Sequence, residues 1–121
     1  MGKKILVVDD EFFITRSLSF LFKKEGYEVS VANDGEAAVA EVQRETPDLI
    51  FMDLDMPRKN GEEAVREIRA NPDWQGIHII MLTAKGQDSD QKAGLEAGAN
   101  EYTLKPFDPR AILNRVRELL G

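Results

Sequence analysis

Two adjacent aspartates, Asp9 and Asp10, a third at Asp53, a threonine at Thr83 and a lysine at Lys105 are the residues whose types and positions could do chemistry together. Each closes or follows a short run: ILVV before Asp9, LIFM before Asp53, IIML before Thr83 and EYTL before Lys105. Singly, each has a plainer use. Asp10 could cap a helix, Asp53 turn the chain, Thr83 end a strand and Lys105 stand solvated before Pro106. Gathered at one place, three carboxylates repel one another, and the usual relief is a bound cation or a shared proton. The ligands are oxygens and no histidine lies among them. The set therefore points to magnesium, which typically takes one or two carboxylates together with a phosphate oxygen.

Whether these residues meet depends on the elements that carry them. Short runs at Ile5–Val8, Tyr27–Ala32, Leu49–Met52, Ile77–Leu82 and Glu101–Leu104 alternate with amphipathic segments, the pattern of a parallel sheet covered by helices. ILVV, LIFM and IIML are unbroken apolar runs, as strands buried on both faces must be, and are predicted to be central. YEVSVA and EYTL alternate polar with apolar and are predicted to be edges. With right-handed connections, these edges give a five-stranded α/β fold of order 2-1-3-4-5. Helical stripes are read at Ile14, Leu18, Leu21 and Phe22, at Ala64, Val65 and Ile68, and at Ile112, Leu113, Val116, Leu119 and Leu120. The segment Asp88 to Gly98 is the weakest helix, because Gly94 in its interior costs roughly 1 kcal/mol relative to alanine. It is the element expected to move, with Gly98 closing it. In open α/β sheets ligands bind beyond the carboxyl ends of the strands, and all five polar residues fall on that edge. His78 falls at the opposite end and is expected to serve neither phosphate nor metal.

Composition narrows the field. The 121 residues suit one domain, 1–121, with 42% hydrophobic and 31% charged residues and no linker-like stretch. A formal net charge of -6 argues against binding bare nucleic acid. There is no cysteine for disulfides or thiolate metal sites. The opening MGKKILVVDDE is neither a signal peptide nor a membrane span, so a cytoplasmic location is expected.

ILVVDDE, LIFMDLDMPRKNG, IIMLTAKG and EYTLKPF, in this order and with these gaps, resemble the receiver domain of two-component response regulators, whose chemotaxis members share a flavodoxin-like fold. The resemblance spans essentially the whole chain. It implies a signalling switch rather than an enzyme with turnover. Asp53 would accept a phosphoryl group from the phosphohistidine of a sensor histidine kinase or phosphotransfer protein, or from a small phosphodonor. Asp10, Asp53 and the backbone carbonyl of Asp55 would hold Mg²⁺, with Asp9 acting mainly through ordered water, and Lys105 would supply the second positive charge. Thr83 would engage the phosphoryl oxygen and Tyr102 would rotate inward behind it. That change would alter the surface made by the fourth helix, fifth strand and fifth helix, a surface through which such domains also form homodimers. For such a dimer Arg115 and Arg117 are candidates. A cis bond is implied at Lys105–Pro106. Asp55 and Lys85, each two residues past a site residue, would tune loss of the phosphate, and their opposite charges are expected to pair across the mouth of the site.

Other positions have plainer expectations. Met56 and Pro57 shape the loop after Asp53, Gly61 permits the turn into the third helix, Phe107 packs, and Asn60 could be either structural or functional. Three alternatives stand beside the receiver reading. IFMDLD and IIMLT resemble haloacid dehalogenase phosphohydrolase motifs, but Pro57 stands in place of that class's threonine or valine and the acidic pair precedes the nucleophile. A flavin-binding relative would need hydroxyls and free amides after the first strand, where DDE repels an anion. A receiver fold used only as a contact module would not need the full set of acids, threonine and lysine.

Overall fold

Alternation along the strands sorts the core into two layers. The computed structural model describes residues 2–54, 56, 58–84 and 88–121. Strand β1, Lys4–Val8, is buried at every position, with Ile5 and Val7 in one apolar cluster and Leu6 and Val8 in the other. β3, Leu49–Asp53, repeats this with Leu49 and Phe51 on one side and Ile50 and Met52 on the other. So does β4, His78–Ala84, with Ile80 and Leu82 against Ile79 and Met81. A strand buried on both faces has no room for polar residues, which is why these three read as unbroken apolar runs. β2, Glu28–Ala32, and β5, Glu101–Lys105, are only partly buried and form the edges. The sheet is parallel throughout, in the order β2-β1-β3-β4-β5. This is the flavodoxin-like order expected from the apolar pattern.

One face of the sheet is covered by α1, Phe12–Lys24, and α5, Pro109–Leu120. Leu18 and Phe22 of α1 and Ile112, Leu113 and Val116 of α5 fill this layer, and the Phe22 and Phe51 rings stack at 5.4 Å. The other face carries α2, Gly35–Arg44, α3, Gly61–Ala70, and α4, Asp88–Ala97. The Ala38, Val39 and Val42 stripe of α2 has no counterpart among the helical stripes expected from the sequence. A ten-residue helix with glycine and alanine as half its inner face gives only a faint period.

Two glycines differ from expectation for one physical reason. Gly94 is buried, and a Cβ there would lie 2.9 Å from Met81 Cγ, so glycine lets α4 settle closely on β4. It is a packing residue as well as a weak helix former. Gly61 does not need a positive φ; a Cβ on it would sit 2.2 Å from the carbonyl oxygen of Asp53. The start of α3 can therefore approach the end of β3 only because that residue has no side chain. Asn60 is structural: its side chain accepts from Glu63 N at 2.9 Å while Glu63 accepts from Asn60 N at 3.1 Å, a reciprocal cap on α3. Met56 is buried in the core beneath the loop. Phe107 packs against the α1 and α5 layer. The Lys105–Pro106 bond is cis. Among the described residues no helix is long and apolar enough to cross a membrane.

Candidate functional site

The carboxyl ends of β1, β3, β4 and β5 bring the expected residues to one edge. Asp53 is the last residue of β3 and only 6% exposed. Continuing the alternation of Leu49 and Phe51, it turns to the α1 and α5 side of the sheet. Asp9 follows β1 in the same parity and is completely buried, whereas Asp10 beside it is exposed. Asp10 does not cap α1; Glu11 holds that position, without a side-chain cap. Carboxylate oxygens of Asp9, Asp10 and Asp53 lie within 4.8 Å of one another. Three hard oxygen ligands at that spacing fit a small divalent cation such as magnesium and would not suit a softer metal.

Lys105, at the end of β5, is the cation of the cluster. Its Nζ lies 2.7 Å from Asp9 Oδ2 and 3.3 Å from both Asp53 Oδ1 and Glu11 Oε1. The short contact to Asp9 is ionic but poorly aligned, since among the described residues Asp9 Oδ2 has no hydrogen bond of good geometry. Asp9 Oδ1 accepts from Glu11 N at 2.9 Å. Burial works against the Lys105 charge, but Asp9 and Asp53 beside it prevail and hold the ammonium above its ordinary range. One lysine cannot balance three carboxylates. Burial first, then the charge of Asp9, push the Asp53 carboxyl up to about 7, with Lys105 opposing and Asp10 adding to the rise.

Thr83, near the end of β4, is buried, and its hydroxyl has no hydrogen-bond partner among the described residues. A buried hydroxyl left unpaired costs free energy, so an incoming oxygen would be welcome there. Tyr102 on β5 pairs in register with Met81, two residues before Thr83, and is 41% exposed. Leu95 of α4 and Leu104 of β5 are also exposed, giving that surface an apolar character. Arg115 is engaged within the chain by Glu101 and Glu118, and Arg117 by Glu25. Asp55 and Lys85 lie outside the described residues, as does Pro57. His78 is at the far end of β4, its Nε2 2.6 Å from Glu101 Oε2, away from the acidic cluster as expected.

Two features escaped the sequence reading. Glu11 adds a third acid against Lys105, beside Asp9 and Asp53, and the run DDE already held that signal. Phe12, Phe13 and Phe20 are 70, 76 and 70% exposed on α1. With Arg16, Lys23 and Val31, Phe12 and Phe20 line an open groove of about 510 Å³ between α1 and β2. Their position off the Leu18 and Phe22 stripe could have revealed them.

A doubly wound parallel sheet with clustered acids, one lysine and one free hydroxyl at its carboxyl edge defines an α/β domain built to handle a cation and an anion together. The chain belongs to the response regulator receiver domain family, whose model matches residues 5–117. It is 42% identical over 120 residues to the alkaline phosphatase synthesis transcriptional regulatory protein PhoP of Bacillus subtilis, covering 99% of this chain and 49% of that protein. The chain thus spans about half the length of that relative. Chemotaxis response regulator CheY4 of Vibrio cholerae superposes with a TM-score of 0.91 at 32% identity, covering 99% of this chain and 100% of that one. A CheY-like receiver domain protein from Methanospirillum hungatei gives 0.89 at 31% identity, covering 99% and 94%. It is a receiver domain of two-component signalling.

Proposed function

We propose that this domain is switched by phosphorylation of Asp53. The observation that carries the reading is a buried carboxylate at a strand end, placed 3.3 Å from the Lys105 ammonium and within 4.8 Å of two further acids. An Asp53 oxygen attacks the phosphorus of a phosphohistidine on a sensor histidine kinase or phosphotransfer protein. The P–N bond breaks, its electron pair stays on the imidazole, and an aspartyl phosphate forms. Asp9, Asp10 and Asp53, with the Asp55 carbonyl, would hold Mg²⁺, which when bound would withdraw charge from the phosphoryl oxygens. Lys105 neutralises the same group from the other side, so the residues act by position and charge.

The new dianion then finds the buried Thr83 hydroxyl, which donates to it. Thr83 moves toward the site and Tyr102 turns inward behind it, altering the exposed Leu95, Tyr102 and Leu104 surface on α4 and β5. That surface is where an effector or a second copy would read the state. Phe12, three residues past Asp9, begins α1 and its exposed aromatic face. We assign that face to the protein that carries the donor histidine. Intact-protein mass spectrometry after incubation with acetyl phosphate tests the reading. A phosphoryl adduct that needs Mg²⁺ and is lost in Asp53→Asn is expected; an adduct of equal size in that variant would overturn it.

A further inference from the structure

The stretch that follows the phosphoacceptor is held, among its described residues, at two places. At its base Gly61 N donates to Leu54 O at 2.9 Å. At its rim the ties run to the turn between β2 and α2. Arg58 has a φ of 63°, the one described non-glycine residue in the left-handed region, where any residue with a Cβ pays a conformational cost and glycine does not. The guanidinium held there donates from Nε at 2.8 Å and from Nη2 at 2.5 Å to Asp34 Oδ2. Asp34 is itself buried, and its other oxygen accepts from Ala37 N at 2.8 Å, capping α2. The Ala37 amide first, then Arg58, hold this carboxyl below its ordinary range. Next to it, Gly35 N donates to Lys59 O at 2.8 Å, and a Cβ on Gly35 would lie 2.2 Å from that oxygen.

This arrangement has a cost, at φ 63°, that a glycine would have avoided. The arginine side chain is 69% exposed, so its ion pair adds little to global stability. Its effect is local: it fixes Arg58 at the rim of the stretch that follows the reacting carboxylate. We propose that Arg58 and Asp34 are positioning residues for the Asp53 site, fixing the chain from Arg58 to Gly61 against the end of β3 so that the site binds the divalent cation and admits the phosphoryl group. The proposal rests on the assignment of Asp53 as phosphoacceptor, and groups that orient a site are commonly needed for its affinity.

The test compares wild type, Arg58→Gly, Asp34→Asn and the double variant in the full chain. Asparagine caps a helix about as well as aspartate, and glycine relieves the backbone at 58, so the denaturation midpoints are expected to stay close to wild type. Mg²⁺ titration by calorimetry is expected to show dissociation constants raised by about threefold or more in each single variant, less than the roughly ten- to hundredfold typical of groups bonded directly to a ligand. Exchange of the Gly35 amide should quicken in both, and the double variant should be no worse than either single. Mg²⁺ affinities within about twofold of wild type, or losses that add in the double variant, would overturn the proposal. Neither readout needs phosphorylation. A wild type that binds Mg²⁺ but takes no phosphoryl group would refute the phosphoacceptor assignment, while these same titrations still decide the role of the pair.

Discussion

Asp53→Asn, in the absence of divalent cations, should make the protein more stable at neutral and alkaline pH and leave it nearly unchanged in acid. The Asp53 carboxyl is pushed from 3.8 up to about 7 in the folded chain, by burial and then by Asp9. A rise of about three units at about 1.36 kcal/mol each is roughly 4 kcal/mol. Because the folded value is the higher one, the contribution of this group is complete below pH 3.8 and is lost as pH climbs through about 7. Asparagine keeps the shape without the charge, and Lys105 retains Asp9 at 2.7 Å and Glu11 at 3.3 Å. The attraction to Lys105 is already contained in that net rise, so the variant should gain up to about 4 kcal/mol near pH 8, or up to about 16 °C in midpoint for a chain of this size. Thermal unfolding followed by circular dichroism in a chelator, for both proteins at matched pH from about 4 to 8, measures the difference directly. Added Mg²⁺ should raise the wild-type midpoint near pH 8 and leave the variant's little changed. A variant less stable than wild type near pH 8, or a gap that does not close in acid, would refute the electrostatic reasoning.

Thr83→Val removes a buried hydroxyl that has no partner among the described residues, and should raise stability by about 1 kcal/mol in chemical denaturation while the Tyr102 environment, read by NMR, ceases to respond to phosphorylation. Gly61→Ala places a Cβ 2.2 Å from the Asp53 carbonyl oxygen. Backbone cannot yield as a flexible side chain can, so a loss of about 3 kcal/mol or more is expected in the same assay. Phe20→Ala, at a residue 70% exposed, should leave stability within about 0.5 kcal/mol of wild type. It should slow phosphotransfer from the donor protein while leaving the acetyl phosphate rate unchanged.

The strands could be read because burial on both faces forces an unbroken apolar run, and β1, β3 and β4 have one. The acid, threonine and lysine set followed from those strands, since polar residues at successive strand ends must share an edge. What could not be read depends on contacts between distant segments. Gly94 and Gly61 look like helix weakness and turn freedom until Met81 and the Asp53 carbonyl are found against them. Asp34 and Arg58 are 24 residues apart, and neither belongs to a periodic pattern. The α1 aromatics carried a signal of another kind, large apolar residues off the buried stripe, which marks a surface rather than a core.

The most direct test is to find where the phosphoryl group sits. Borohydride reduces an aspartyl phosphate to homoserine, so wild type treated with acetyl phosphate and Mg²⁺, then reduced and mapped by peptide mass spectrometry, reports the modified position. Homoserine at position 53, absent without Mg²⁺, is the predicted result. Homoserine at position 9 or 10, or a phosphoryl adduct that yields none, would contradict Asp53 as the phosphoacceptor.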